Sequence, residues 1–228
     1  MDGIEYKGSL PQAGTTLSLV QSDFRQVLKS YRRAYRAVVD CGNMKIREHC
    51  DLAVSTLDNL LSEPIQVVPE PAHHLPVTRF LDPCLRIAAQ GPYSGLAGDV
   101  SEITSYLHWQ WGYAAMPTHL EDAFAYTDIV GPNAPITSNN LAIGLVLFGS
   151  GCEYPPHDHP EITESYLVLS GNVSQNDFGV FGPGSLIFNP PGREHTITVD
   201  TMAPALLAYA WTAAPGILAT NEMILALD

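Results

Sequence analysis

Three histidines and one glutamate stand in two short strand-like segments, and their spacing constrains this chain more than any bulk property does. From Gly151 to Gly171 the chain reads GCEYPPHDHPEITESYLVLSG, and from Gly184 to His195 it reads GSLIFNPPGREH. Side chains alternate faces along an extended segment, so His157 and His159 point the same way about 6–7 Å apart and can converge on one ion. Glu164 has the opposite parity, but Pro160 and the turn-like PEIT stretch reset the register. His195, just beyond a Pro-Pro-Gly turn, completes a shell of imidazoles and one carboxylate suited to a single Zn, Fe, Mn, Ni or Co ion.

The flanking sequence divides into two textures. From Ser18 to Val39, apolar residues recur with a helical period (Val20, Phe24, Val27, Leu28, Tyr31, Tyr35, Val38), and Gly42 with Asn43 stops the run. A second helical stripe (Ile46, Cys50, Val54, Leu57, Leu61) ends at Glu63 and Pro64, so the two are read as an antiparallel pair. Residues 65–98 are rich in Pro and Gly and read as loop with short regular pieces, and 99–111 read as helix. The aromatics Tyr106, Trp109, Trp111 and Tyr113 suit buried packing or a homo-oligomer contact. Beyond Pro132 the pattern changes to short apolar strands: Leu141 to Phe148, Ser165 to Leu169, Val180 to Phe181, Ser185 to Phe188, His195 to Val199 and Leu206 to Thr212. The expected organisation is a helical region at 1–134 packed on a barrel at 135–228.

Charge narrows the partners. A net charge of −13 repels phosphate backbones, which argues against nucleic acid and favours cations or uncharged and zwitterionic small molecules. The basic residues gather between Arg25 and Arg47, in a pattern that fits a solvated helix face. Cys41, Cys50, Cys84 and Cys152 form no CxxC pair, and neither an apolar leader nor a bilayer-spanning run is visible, so a cytoplasmic, membrane-free setting is expected.

The two histidine segments resemble the paired cupin motifs. Gly151, His157, His159, Glu164 and Gly171 match the first in full, and Gly184, Pro190, Gly192 and His195 match the second, whose final Asn is Val199 here. Glu161 also follows the histidine pair, but only Glu164 fits the motif spacing and shares a strand face with Tyr166. The resemblance implies a mainly β fold, a carboxy-terminal cupin barrel (double-stranded β-helix or jelly roll) with an α-helical amino-terminal extension.

Cupins host many chemistries, so site detail must choose among them. The HxHxxxxE pattern with Tyr166 beyond it, Tyr154 before it and Trp211 on the last strand resembles the bacterial cupin-type dimethylsulfoniopropionate (DMSP) lyases. That resemblance implies β-elimination of dimethyl sulfide from a zwitterionic substrate, leaving acrylate. Tyr166 would be the base, a divalent transition metal would bind the substrate carboxylate, and Tyr154 and Trp211 would hold the sulfonium. An ordinary phenol titrates near 10, so the base role requires a drop of roughly 2 to 3 units, within reach of an adjacent divalent cation. On the segment LLAYAWT, Tyr209 shares a face with Trp211, which projects either inward or toward the helices. Arg193 is read as a solvated turn residue. An Fe(II) dioxygenase on the same shell and a non-catalytic small-molecule-binding cupin remain as alternatives.

Overall fold

Three strands of the barrel are buried on both faces, and the layering of the molecule follows from that. The computed structural model describes residues 13–38, 43–112 and 116–220, with side chains from residue 18. The amino terminus, the proposed stop at Gly42, Cys41 and Tyr113 lie outside the described residues. The strands are β1 (Phe124–Gly131), β2 (Ile136–Thr137), β3 (Leu141–Phe148), β4 (Glu153–His157), β5 (Thr163–Ser170), β6 (Val173–Gln175), β7 (Val180–Phe181), β8 (Leu186–Asn189), β9 (His195–Val199) and β10 (Ala205–Thr212). They form one sheet of order β2-β1-β3-β10-β5-β8 and a second of order β4-β9-β6-β7. This is the expected cupin barrel.

Every residue of β3 is buried, as are nearly all of β5 and β10. Alternate residues serve different cores. Ile143, Leu145, Leu147, Leu167, Leu169, Leu206 and Ala208 join the core shared with the helices. Ala142, Val146, Phe148, Tyr166, Val168, Leu207 and Tyr209 line the barrel interior. The runs LAIGLVLF and YLVL are continuously apolar because helices cover their outer face.

The covering layer begins with α1 (Ala13–Val38) and α2 (Met44–Ser62), the expected antiparallel pair, and continues with α3 (Leu81–Ala88) and α4 (Ser94–Ile103). Asn43 caps α2 by accepting from the backbone of Lys45 and Ile46. Much of the basic cluster ties the helix pair together. Arg32 and Arg36 pair with Asp58 at 2.7 and 2.6 Å, and Arg25 donates to the carbonyls of Leu61 and Glu63 at the end of α2. No helix among the described residues is long and apolar enough to cross a membrane.

Two sequence expectations need correction. The barrel sheet does not begin at 135, because β1 starts at Phe124 and pairs antiparallel with β3. Residues 99–111 are not one helix: α4 stops at Ile103, a 3-10 turn follows to Tyr106, and the chain then runs extended, bridging His73 to His108 and Gln110 to Tyr126. Burial of Leu107 and Trp109 with intervening residues less covered has the two-residue period of a strand. Trp109 is entirely inside, so its aromatic bulk serves packing.

The helices also grip the barrel through buried polar contacts. Tyr31 donates to the Gly144 carbonyl at 2.5 Å. The Tyr35 hydroxyl lies 2.9 Å from Ser165 Oγ, and His49 bridges Ser165 Oγ and Thr212 Oγ1, both at 2.7 Å. Ser165 sits between Glu164 and Tyr166, so this network holds β5 from behind. Burial lowers the His49 imidazole to about 4. The folded state thus favours neutral His49, and the unfolded chain binds the extra proton between about pH 6.5 and 4. Stability is expected to be full above that window and to fall as pH drops through it. In urea unfolding across a pH series, His49→Gln should flatten the slope by up to about 1.4 kcal/mol per pH unit; an unchanged slope would assign the acid sensitivity to other groups.

Candidate metal centre

Local backbone chemistry aims each imidazole. β4 is an edge strand, where Pro155 and Pro156 are tolerated without a ladder N–H, and its pairing with β9 skips between Tyr154 and His157. After the skip His157 stands opposite His195. The His157 Nδ1 lies 3.0 Å from the Pro155 carbonyl, and His195 Nδ1 lies 3.1 Å from that of Arg193. A carbonyl only accepts, so each Nδ1 carries its proton and each Nε2 presents a lone pair to the centre. His159 is carried on the turn at Pro160 and Glu161, where the Ile162 amide returns to the His159 carbonyl, and the Gly192 amide donates to that same carbonyl at 2.9 Å. That turn supplies the register reset between His159 and Glu164.

Glu164 has no solvent exposure. Its Oε1 accepts from the Tyr166 hydroxyl at 2.5 Å and from Trp211 Nε1 at 2.6 Å. Its Oε2 accepts from Asn189 Nδ2 at 2.9 Å and faces His195 Nε2 at 2.9 Å. Burial alone would push this carboxyl up, yet the contact with His195 and the field of the three imidazoles hold it well below the usual carboxylate range. Burial lowers His157 to about 4, with His195 adding to the drop. Burial also pulls His195 down, but the Glu164 carboxylate outweighs it and the net shift is upward.

His157, His159, Glu164 and His195 each offer one ligand atom, a ring nitrogen or a carboxylate oxygen, these atoms all lie within 4.8 Å of one another, and all of these residues are buried. The Nε2 atoms of His159 and His195 have no hydrogen-bond donor or acceptor partner of ordinary geometry. Lone pairs of imidazole and carboxylate facing at 2.9 Å are compatible only if a second proton or a cation lies between them. The donor set, its burial and its tautomers therefore fit a divalent transition metal, and the ligand types leave its identity open among several first-row ions.

The remaining expected residues fall in the same pocket, whose empty space, its open mouth included, is about 380 Å³ and which is lined by Phe124, Tyr126, Val146, Phe148, Tyr154, His157, His159, Glu164, Tyr166, Tyr209 and Trp211. Register settles the orientation of Trp211: it is the cross-strand partner of Glu164 and so faces inward, its ring 4.5 Å from that of His159. Tyr154 packs 4.5 Å from Phe124 and 4.8 Å from His157, centroid to centroid. Glu161 is exposed in its turn, and Arg193 is exposed above the ring of Phe178. Sequence reasoning missed Asn189, which is held by Gln175 at 2.7 Å and buttresses Glu164. Its signal was a polar side chain two residues beyond Ile187, on the inward face of β8.

The DMSP lyase family profile matches residues 52–207 of this chain. A curated protein of Cereibacter sphaeroides that bears the name dimethylsulfoniopropionate lyase DddL is 37% identical over 190 residues, covering 83% of this chain and 82% of that one. Among solved structures, one described as reporting the DMSP lyases RdDddP and RnDddQII aligns with a TM-score of 0.64 at 19% identity, covering 91% of this chain and all of that one. DMSP lyase DddQ from Ruegeria pomeroyi aligns at 0.57 and 19% identity, covering 85% and 96% respectively. At that identity the structures speak to the fold.

The donor set predicts that purified protein retains close to one equivalent of a first-row metal and that His195→Ala loses it, as read by elemental analysis. Full retention in that variant would refute this shell. Asn189→Ala, which removes a support of Glu164 and no ligand, is expected to weaken metal affinity by about 10- to 100-fold.

Proposed function

The chain belongs to the dimethylsulfoniopropionate lyase family and is a carbon–sulfur lyase, and on that premise we propose that it cleaves DMSP to dimethyl sulfide and acrylate by β-elimination, with Tyr166 as the base. The observation that carries this reading is the Tyr166 hydroxyl, directed into the pocket and held 2.5 Å from Glu164 Oε1, beside the imidazole cluster. In the elimination, the phenolate oxygen of Tyr166 takes the proton α to the substrate carboxylate. The C–H electrons form the double bond, the C–S electrons leave with sulfur, and the sulfonium departs as a neutral thioether. Charge balances without an external oxidant or reductant.

His157, His159, Glu164 and His195 would hold a divalent metal. When bound, such an ion supplies positive charge that favours the phenolate form of a nearby tyrosine and draws electrons from a ligated carboxylate. In the resting phenol the hydrogen bond to Glu164 holds the oxygen at the edge of that cluster; the phenol must first lose this proton to solvent to act as base, and its oxygen is then already in place. Phe124, Phe148 and Tyr154 form an apolar wall that keeps water from the carbanionic centre. Tyr154 and Trp211 present ring faces suited to a sulfonium, which has no N–H or O–H to donate. Lyase family membership sets the dioxygenase and the non-catalytic binding module aside. The free thiols Cys84 and Cys152 agree with a reducing, cytoplasmic setting.

With purified protein, DMSP and a divalent ion under anaerobic conditions, gas chromatography is expected to detect dimethyl sulfide and liquid chromatography an equal amount of acrylate. Tyr166→Phe should lower turnover by at least about 10²-fold while keeping the metal content of the parent. Wild-type turnover in that variant would remove Tyr166 from the mechanism, and dependence on oxygen would remove the elimination.

A further inference from the structure

A row of inward-facing residues crosses the large sheet beside the proposed base. Tyr166 on β5 is the cross-strand partner of Tyr209 on β10, Tyr209 is the partner of Gly144 on β3, and Gly144 is the partner of Asp128 on β1. Gly144 carries no side chain, and a Cβ there would lie 2.8 Å from the Tyr209 ring. The ring therefore lies across β3, and the Tyr209 hydroxyl donates to Asp128 Oδ1 on the far side. Gln110 Nε2 donates to Asp128 Oδ2 at 3.2 Å. Both partners are neutral, and Asp128 has no ion pair among the described residues.

Asp128 is half-buried, and a carboxylate drawn partly out of water without a cation is still costly; such groups concentrate at functional sites. Burial pushes the Asp128 carboxyl up to about 6, against the hydrogen bond from Tyr209, so it is still largely ionised at neutral pH. The two hydrogen bonds hold it in place without cancelling its charge. Glu164, the other acid on this inner surface, is already surrounded by imidazoles, Trp211, Tyr166 and Asn189. Asp128 is thus a negative charge that the described protein leaves uncompensated, separated from the pocket by the ring of Tyr209.

We propose that Asp128 is a positioning residue for the cationic head of the substrate, acting through Tyr209: the carboxylate orients the phenol across Gly144 and makes that wall of the pocket selective for a positively charged group over a neutral one of the same shape. A phenol that donates to a carboxylate has a more electron-rich ring face, and the anion behind it adds to the attraction for a cation in front. Trp211, with its ring centroid 5.8 Å from that of Tyr209, continues the same surface toward the histidines. The row places this wall next to Tyr166, so a substrate whose cation rests on Tyr209 has its chain lying toward the base. The proposal rests on the reading of the substrate as a sulfonium zwitterion.

The test compares two carboxylic acids of matched shape on metal-loaded full-length protein by titration calorimetry: N,N-dimethyl-β-alanine, which is cationic at its head, and 4-methylpentanoate, which is neutral there. The parent should bind the cationic acid more tightly. Asp128→Asn keeps an acceptor for Tyr209 but removes the charge, and should reduce that preference about tenfold. Tyr209→Phe, which cuts the link, should reduce it in the same direction. With DMSP, Asp128→Asn should raise KM with kcat changed by less than about threefold, the pattern of lost binding to the head group. A preference that persists in Asp128→Asn, or an equal loss of affinity for both acids, overturns the proposal and leaves Asp128 a structural support. If the parent discriminates as expected but releases no dimethyl sulfide, the proposed function fails while this inference stands.

Discussion

The Glu164 carboxylate, wholly enclosed by the barrel, is the constraint on which the site depends. An ionised acid in that position is tolerable only if it is well solvated by the protein: Tyr166, Trp211 and Asn189 donate to it, and His195 Nε2 faces it at 2.9 Å. The donors come from β5, β10 and β8 of one sheet, and His195 on β9 brings the second sheet against the same anion. The four candidate ligands and the proposed base are thereby parts of a single network. It also explains why Asn189 and Gln175 are buried amides beside that cluster.

Burial of β3, β5 and β10 on both faces gives the helical layer a mechanical role. Glu164 and Tyr166 point into the barrel while Ser165 between them points out, into a buried bridge to Tyr35 and His49. A strand held by hydrogen bonds on one side and by a carboxylate cluster on the other cannot slip by one residue, because slippage would exchange the two faces. The amino-terminal helices are thereby part of what keeps the inward residues inward.

Cross-strand rows organise the pocket floor. Asn189, Glu164 and Trp211 share one row, and Ile187, Tyr166, Tyr209, Gly144 and Asp128 share the next. The first row meets the histidines and the second lies beside it, where aromatic rings separate the proposed base from Asp128. Gly144 matters here as the gap in a fully apolar strand that lets a tyrosine lie across it.

Much of this was legible from residue order alone. The histidine and glutamate spacing, the apolar strands and the helical stripes are local patterns, and local geometry sets them through strand alternation and the 3.6-residue helical period. Three strands, β3, β7 and β9, were read with their observed limits and β5, β8 and β10 with limits off by one or two residues, whereas β1, β2, β4 and β6 were not read, since short segments such as EYPPH and VSQ and the mixed AYTDIV carry patterns that pairing completes. The 99–111 segment misled because its aromatic residues suit either period. Tertiary structure alone decided that Trp211 faces inward, that Asn189 supports Glu164 and that Asp128 meets Tyr209 across Gly144. Those relations join residues distant in sequence through strand register, and register is fixed by pairing and by the burial of both sheet faces, which no single segment specifies.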